Sequence, residues 1–153
     1  MKALIQRVTQ AAVMIDGQVH NEIHEGCVVF LGVTHTDTTD QAVALAAKTA
    51  QLRIFADAQD RMNLSLQDIA GQVLVISQFT LYADTRKGNR PSFVDAAAPE
   101  QAEWLYHHYV ESLQQWLPRQ NVKTGRFRAS MQITLTNNGP VTITLSTDAK
   151  ATR

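Results

Sequence analysis

Three short stretches of this 153-residue chain gather groups that could do chemistry. Ser77-Gln78-Phe79-Thr80-Leu81 follows an apolar run, so hydroxyls, an amide and main-chain N–H groups collect where a buried strand would end. Asn138-Gly139-Pro140 lies between two alternating runs, where glycine can bring bare backbone against a ligand and proline fixes φ. Thr85-Arg86-Lys87-Gly88-Asn89-Arg90-Pro91 places three cations in five residues, with Gly and Pro marking a loop. Taken singly, these are a strand terminus, a hairpin tip and a solvated loop. The basic loop has a phosphate contact as its functional alternative.

The familiar hydrolase constellations are missing. No Gly-x-Ser-x-Gly elbow occurs. His20 and His24 have the spacing of a helical metal pair, but on an extended segment they would stand roughly 13 Å apart at ~3.3 Å per residue, too far to share an ion. His107 and His108 are adjacent on a helix and diverge by about 100°. His35 follows a strand and could be a base, although a lone loop histidine is ordinarily solvated. No metal or other cofactor is expected. Cys27 sits in the apolar run Cys27-Val28-Val29-Phe30-Leu31 and reads as a buried thiol, with no partner for a disulfide within the chain. A reducing compartment fits.

With 14 basic and 14 acidic residues the formal net charge is zero, so any RNA contact must be local rather than a global positive field. The first 30 residues alternate too often to supply a signal-peptide core, and no apolar stretch approaches the ~20 residues of a membrane helix. A soluble, cytoplasmic protein without membrane partners is expected.

The elements that must position these groups can be read from periodicity. Alternation from Ala3 to Val8, an Asp16-Gly17 turn, a short polar strand and the run Cys27 to Val33 predict a meander of about three strands. From Thr38 or Thr39, Val43, Ala46, Ala47 and Ala50 predict a helix packed through small residues. Residues 56–71 read as loop-rich, and Gln72 to Phe79 as a strand buried on both faces. Pro99 opens a second helix whose stripe is Ala102, Leu105, Tyr106, Tyr109, Leu113 and Trp116, and Pro118 stops it. Met131-Ile133-Leu135 and Val141-Ile143-Leu145 predict a C-terminal β-hairpin turning at Asn137 to Pro140. The fold class is therefore mixed α+β (α/β): a single layered domain over residues 1–153, a mixed sheet covered by two main helices, with room for a second sheet behind it.

Taken together the motifs resemble the D-aminoacyl-tRNA deacylases. Ser-Gln-Phe-Thr-Leu at 77–81 with Arg-Lys-Gly-Asn-Arg-Pro-Ser-Phe at 86–93, and Asn-Gly-Pro-Val-Thr at 138–142, look like that family's two signatures. Gln6-Arg7-Val8, Leu52-Arg53-Ile54-Phe55 and Met62-Asn63-Leu64-Ser65 are also similar, and the likeness runs from residue 1 to about 146. The resemblance implies hydrolysis of D-aminoacyl-tRNA and glycyl-tRNA, with L-aminoacyl-tRNA spared. It implies that Ser77, Gln78, Phe79 and Thr80 form the catalytic strand end. There the N–H groups of Gln78 and Phe79 hold the scissile carbonyl, and the terminal ribose 2′-hydroxyl assists; Thr80 as nucleophile is the alternative. It implies a homodimer with active sites at the subunit interface, in which a cis Gly139-Pro140 peptide enters the partner's pocket and Arg7 and Met131 brace the turn. Arg86, Lys87 and Arg90 become candidate contacts to the aminoacylated tRNA 3′ end.

The chain departs from the family at three places: Arg128 where Gly or Ala is usual, and Ser130 and Asn138 where an acid is common. These bear on substrate range or RNA affinity before the reaction, because Met131, Gly139 and Pro140 are retained. Two other readings compete. A non-enzymatic nucleic-acid-binding protein would use only the 86–90 loop and leave an aminoacyl ester intact. A synthetase-attached editing domain would need a partner core for which 153 residues leave no room.

Overall fold

The computed structural model describes residues 1–147. Residues 148–153 of the expected domain lie outside the described residues. In chain order the elements are β1 (Lys2–Ile15), β2 (Gln18–Ile23), β3 (Gly26–Gly32), α1 (Thr39–Ala50), β4 (Phe55–Ala56), β5 (Met62–Leu64), β6 (Gln72–Ser77), α2 (Pro99–Leu113), β7 (Val122–Thr124) and β8 (Gln132–Ser146). Short 3-10 turns cover Phe79–Tyr82 and Arg119–Asn121.

β1 organises the sheet. Its last third pairs antiparallel with β2, Ala11 to Ile23 and Ile15 to Gln18, across a turn where Asp16 and Gly17 both have positive φ, the geometry of a type I′ hairpin. Its first half pairs with β3, from Lys2 with Gly32 to Val8 with Gly26. The sheet order is β2-β1-β3-β6-β7, so the expected meander is corrected: β3 lies against β1 and not β2. A strand of 14 residues is long enough to take two partners in succession along one edge. β3 to β6 and β6 to β7 are parallel pairs, which require crossovers; α1 and α2 supply them.

The expected C-terminal hairpin is also corrected. Both alternating runs belong to β8, and both pair antiparallel with the other edge of β1: Ile133 with Val13 and Leu135 with Ala11, then Ile143 with Ile5 and Leu145 with Ala3. Between them the register jumps from Val8–Asn137 to Gln6–Thr142, so the Asn138 to Val141 segment is looped out of a continuous ladder. Each run alternates correctly on its own, so periodicity could not distinguish two paired strands from one strand carrying a large bulge.

Strand alternation divides the interior into two clusters. Cys27, Val29 and Leu31 of β3 and Val73 and Val75 of β6 face the helices, with Ala3 and Ile5 of β1. Val28, Leu74 and Ile76 face the other way, onto Val8, Val13, Ile23 and the inner residues of β8. β6 is thus covered on both faces, as its uninterrupted apolar sequence predicts. Cys27 is buried among the helix-facing residues, and burial pushes its thiol up to about 12.

α1 starts with Gln41 Oε1 accepting the Thr38 N–H at 2.7 Å, the side-chain half of a capping box. Its buried face is Ala42, Leu45, Ala46, Thr49 and Ala50, while Val43 is 51% exposed; the small-residue face is rotated from the predicted one. α2 buries Leu105, Tyr106, Tyr109, Val110 and Leu113. It ends before Trp116, which is 37% exposed, and Leu117 fills that place in the core.

The two helices are joined by a buried chain of hydrogen bonds: Tyr109 Oη donates to Thr49 Oγ1 at 2.8 Å, which donates to Leu45 O at 2.8 Å. Tyr109→Phe strands a buried acceptor without opening a cavity. It should cost about 1–2 kcal/mol in urea unfolding, and an unchanged midpoint would show that the Thr49 hydroxyl is satisfied without it. Among the described residues no helix is long and apolar enough to cross a membrane.

Candidate active site

The site is delivered by the end of β6. Ser77 closes the strand beside Leu31, and the chain then turns into the 3-10 segment Phe79–Tyr82. This turn is possible because Gly32 leaves space: a Cβ there would stand 3.0 Å from Leu81 Cβ and 3.1 Å from Gln78 O. The Gln78 N–H donates to Leu31 O at 2.8 Å, extending the parallel ladder by one bond. Of the two N–H groups expected to meet a carbonyl, that of Gln78 is therefore already engaged. Phe79 stands at the first 3-10 position, where nothing inside the turn can accept its N–H. The residue is 55% exposed, and its ring meets Phe93 edge-on, centroids 5.0 Å apart.

A cavity of about 730 Å³ opens at this strand end, within the usual range of ligand sites. Its walls are the ends of β3 and β6, the Phe93–Ala98 loop, the start of α2 and the segment Phe127 to Met131. Ser77, Gln78, Phe79 and Met131 line it. So do His35, whose Nε2 lies 2.6 Å from Val94 O, and Arg128. Among the described residues no carboxylate lines it. Phe93 enters the sequence reading only as the last residue of the 86–93 motif and Val94 not at all; the signal is two apolar residues directly after a polar loop.

Thr80 is exposed and outside the cavity lining. Its hydroxyl accepts a hydrogen bond from Gln78 Nε2 at 2.5 Å. A primary amide cannot take a proton from that hydroxyl, so this contact orients Thr80 without activating it.

Gly139 and Pro140 are likewise absent from the cavity of their own chain, on the looped-out part of β8. The Gly139-Pro140 peptide is cis. Asn137 staples the base of the loop, with Oδ1 accepting from Val141 N at 2.7 Å and Nδ2 donating to Val141 O at 3.2 Å. Arg7, half-buried, donates from Nε to Asn138 O at 2.8 Å and from Nη1 to Ile54 O at 2.5 Å. A Cβ on Gly139, which has φ +146°, would fall 2.8 Å from Val141 Cγ2 and 3.1 Å from Arg7 Nη2. Arg7 thus reaches the turn as expected, whereas Met131 stands in the cavity wall, close to Gly125.

Arg126–Ala129 forms a turn closed by Ala129 N–H to Arg126 O at 3.2 Å, with Arg128 third at φ +63°. Phe127 keeps a negative φ, which makes the turn type II, where glycine is favoured at the third position. An L side chain there costs about 1–2 kcal/mol.

The basic loop is closed by paired main-chain bonds between Asp84 and Ser92 at 2.8 and 2.9 Å. Lys87 and Arg90 are exposed within it. Arg86 is bound to Asp84, Nε to Oδ1 at 2.8 Å and Nη2 to Oδ2 at 2.7 Å. The Arg86 side-chain hydrogen bonds, aided by its N–H and its charge, hold the Asp84 carboxyl down to about 2. A depressed carboxylate contributes above the unfolded value of about 4 and loses its contribution as pH falls through the folded one. Carboxyl ¹³C titration should place the Asp84 midpoint near 2 and return it toward the ordinary range in Arg86→Ala. An ordinary midpoint in the wild type would mean that Arg86 is free for other anions.

A family profile described as D-Tyr-tRNA(Tyr) deacylase matches residues 4–146. A D-aminoacyl-tRNA deacylase of Deinococcus deserti is 53% identical over 146 residues, covering 95% of this chain and 98% of the relative. One from Fusobacterium nucleatum is 47% identical over 149 residues, with 96% of each chain covered. Among solved structures, one titled c-Myc DNA Unwinding Element Binding Protein superposes with a TM-score of 0.93 at 38% identity, covering 97% of this chain and all of that one. A probable eukaryotic D-amino acid tRNA deacylase shares the fold at TM-score 0.78 and 14% identity, covering 94% and 97% of the two chains. With matching motifs, near-complete coverage and the same fold, the chain belongs to the D-aminoacyl-tRNA deacylase family.

Proposed function

We propose that the chain hydrolyses the ester of D-aminoacyl-tRNA and glycyl-tRNA, sparing L-aminoacyl-tRNA, and does so as a cytoplasmic homodimer with its sites at the subunit interface. The observation that carries this reading is the cavity at the end of β6, with Phe79 N–H unclaimed in its wall. An aminoacyl ester is labile. Positioning it, admitting water and stabilising the developing oxyanion suffice, with no cofactor. Phe79 N–H is the main-chain donor for the carbonyl, and the substrate's ribose 2′-hydroxyl assists, since Thr80 has no base beside it.

Stereoselection belongs to the Gly139-Pro140 loop. Because the loop lies off its own cavity, it acts on that of a second copy, and the exposed Phe79, Phe93 and Val94 around the cavity provide apolar surface for that copy to cover. Rigid backbone set against the α-carbon leaves no room for an L side chain but cannot reject glycine, which has none. Arg7 holds the loop from below. Met131 holds the wall that the loop meets. Lys87 and Arg90 contact the tRNA, and Arg86 does so to the extent that Asp84 releases it.

The test is deacylation of D-Tyr-, L-Tyr- and glycyl-tRNA in parallel. D-Tyr- and glycyl-tRNA should be cleaved and L-Tyr-tRNA survive. Cleavage of all three would remove the gate. The likeness to a DNA unwinding element binding protein favours a second reading, a protein that binds nucleic acid without chemistry. Three intact esters alongside measurable tRNA binding would establish it.

A further inference from the structure

Among the described residues four non-glycine residues have positive φ: Asp16, Asp60, Ala70 and Arg128. The two aspartates are of a type that tolerates this region, and neither they nor Ala70 line the cavity. Arg128 is a long cationic side chain at the glycine position of a type II turn, and it does line the cavity. A strained residue at a binding site points to a role that outweighs the strain. Among the described residues Arg128 is the one Lys or Arg in the lining, no Asp or Glu accompanies it, and it has no ion-pair partner. The cavity therefore presents an uncompensated positive charge.

Resting on the deacylase reading, we propose that Arg128 binds the phosphodiester next to the terminal nucleoside of the tRNA substrate. The chemistry of the substrate selects this group. The α-amino end of an aminoacyl ester is cationic and would be repelled by a guanidinium. Side chains vary in charge, so the anion common to every substrate is the phosphodiester. A planar guanidinium fork matches phosphate oxygens with two parallel hydrogen bonds, which an ammonium cannot do.

The test uses Arg128→Gly, which suits the turn's positive φ and so removes the cation without harming the fold, together with Arg128→Lys. Binding of an RNA oligonucleotide ending in CCA and carrying no amino acid, and kcat and KM on D-Tyr-tRNA, are measured between about 50 and 200 mM salt. For Arg128→Gly, Kd and KM should rise about tenfold with kcat changed less than twofold, and the slope of log K against log salt should fall by about 0.7, one single-strand phosphate contact. Thermal unfolding should occur at the same temperature or higher. Arg128→Lys should keep the slope and recover only part of the affinity.

An unchanged Kd and salt slope would overturn the proposal. So would a KM loss confined to D-Asp- and D-Glu-tRNA, which would place the guanidinium on the amino acid. Failure of the deacylase reading is separable. A wild type that leaves D-Tyr-tRNA intact yet shows the same split in oligonucleotide binding keeps the phosphate contact and loses the reaction. A wild type that deacylates while Arg128→Gly binds RNA equally well does the reverse.

Discussion

Phe79→Pro should lower kcat on D-Tyr-tRNA by about 10²–10³, the loss typical of one oxyanion donor, while Phe79→Ala should stay within about tenfold of wild type. The two variants remove the same ring, so their difference isolates the N–H. Proline is compatible with the backbone here because Phe79 occupies the first position of its turn, where no hydrogen bond depends on its N–H. Gln78 before it has φ −143° and ψ 82°, outside the helical region that a following proline disfavours. Urea midpoints close to wild type should accompany the loss. Equal activities of the two variants would mean that the carbonyl is held elsewhere, with Phe79 contributing only its ring.

The second large effect is expected from the substrate. A tRNA ending in 2′-deoxyadenosine, with D-Tyr on the 3′-oxygen, should react at least about 10²-fold more slowly, the range over which a positioned proton-transfer group acts. Thr80→Ala should cost less than about tenfold, because the hydroxyl accepts from an amide that cannot deprotonate it. The opposite result, full activity on the deoxy substrate and none in Thr80→Ala, would make Thr80 the nucleophile. Single-turnover rates are the measurement to compare, since steady-state values could hide a change in product release.

Local features were legible in the sequence wherever one stretch determined them. Asp16-Gly17 can form the I′ turn almost unaided, Pro99 and the apolar stripe mark α2, and an apolar run without alternation identifies β6 as covered on both faces. What escaped was set by partners distant in the chain. An alternating run cannot be assigned to a neighbour from spacing alone, so Ile133–Leu135 and Ile143–Leu145 read as each other's partners although both lie on β8 and pair with β1. The face of α1 depends on where α2 and the sheet lie, and Leu45 and Thr49 decided it over Val43.

The candidate site shows the same division. The strand-end motif and the glycine-proline loop are local sequence and could be found. That Leu31 takes the Gln78 N–H, and that Asp84 takes Arg86, follow from pairing and loop closure, which no motif reveals. Arg128 was visible as a departure, but its positive φ and place in the cavity wall required the fold.

The parallel bond from Gln78 to Leu31 divides two adjacent peptide groups between different regimes of motion. Gln78 N–H is held by the last bond of the parallel ladder between β3 and β6, so its exchange with deuterated solvent must wait for that end of the ladder to open. Phe79 N–H, one residue on, has no bond to break and exchanges directly in the free protein. The donor proposed for the carbonyl is thereby open to substrate yet fixed, through its neighbour, to the end of the central ladder. Heating should leave its position unaltered until the core itself gives way, so loss of activity should coincide with unfolding and not precede it.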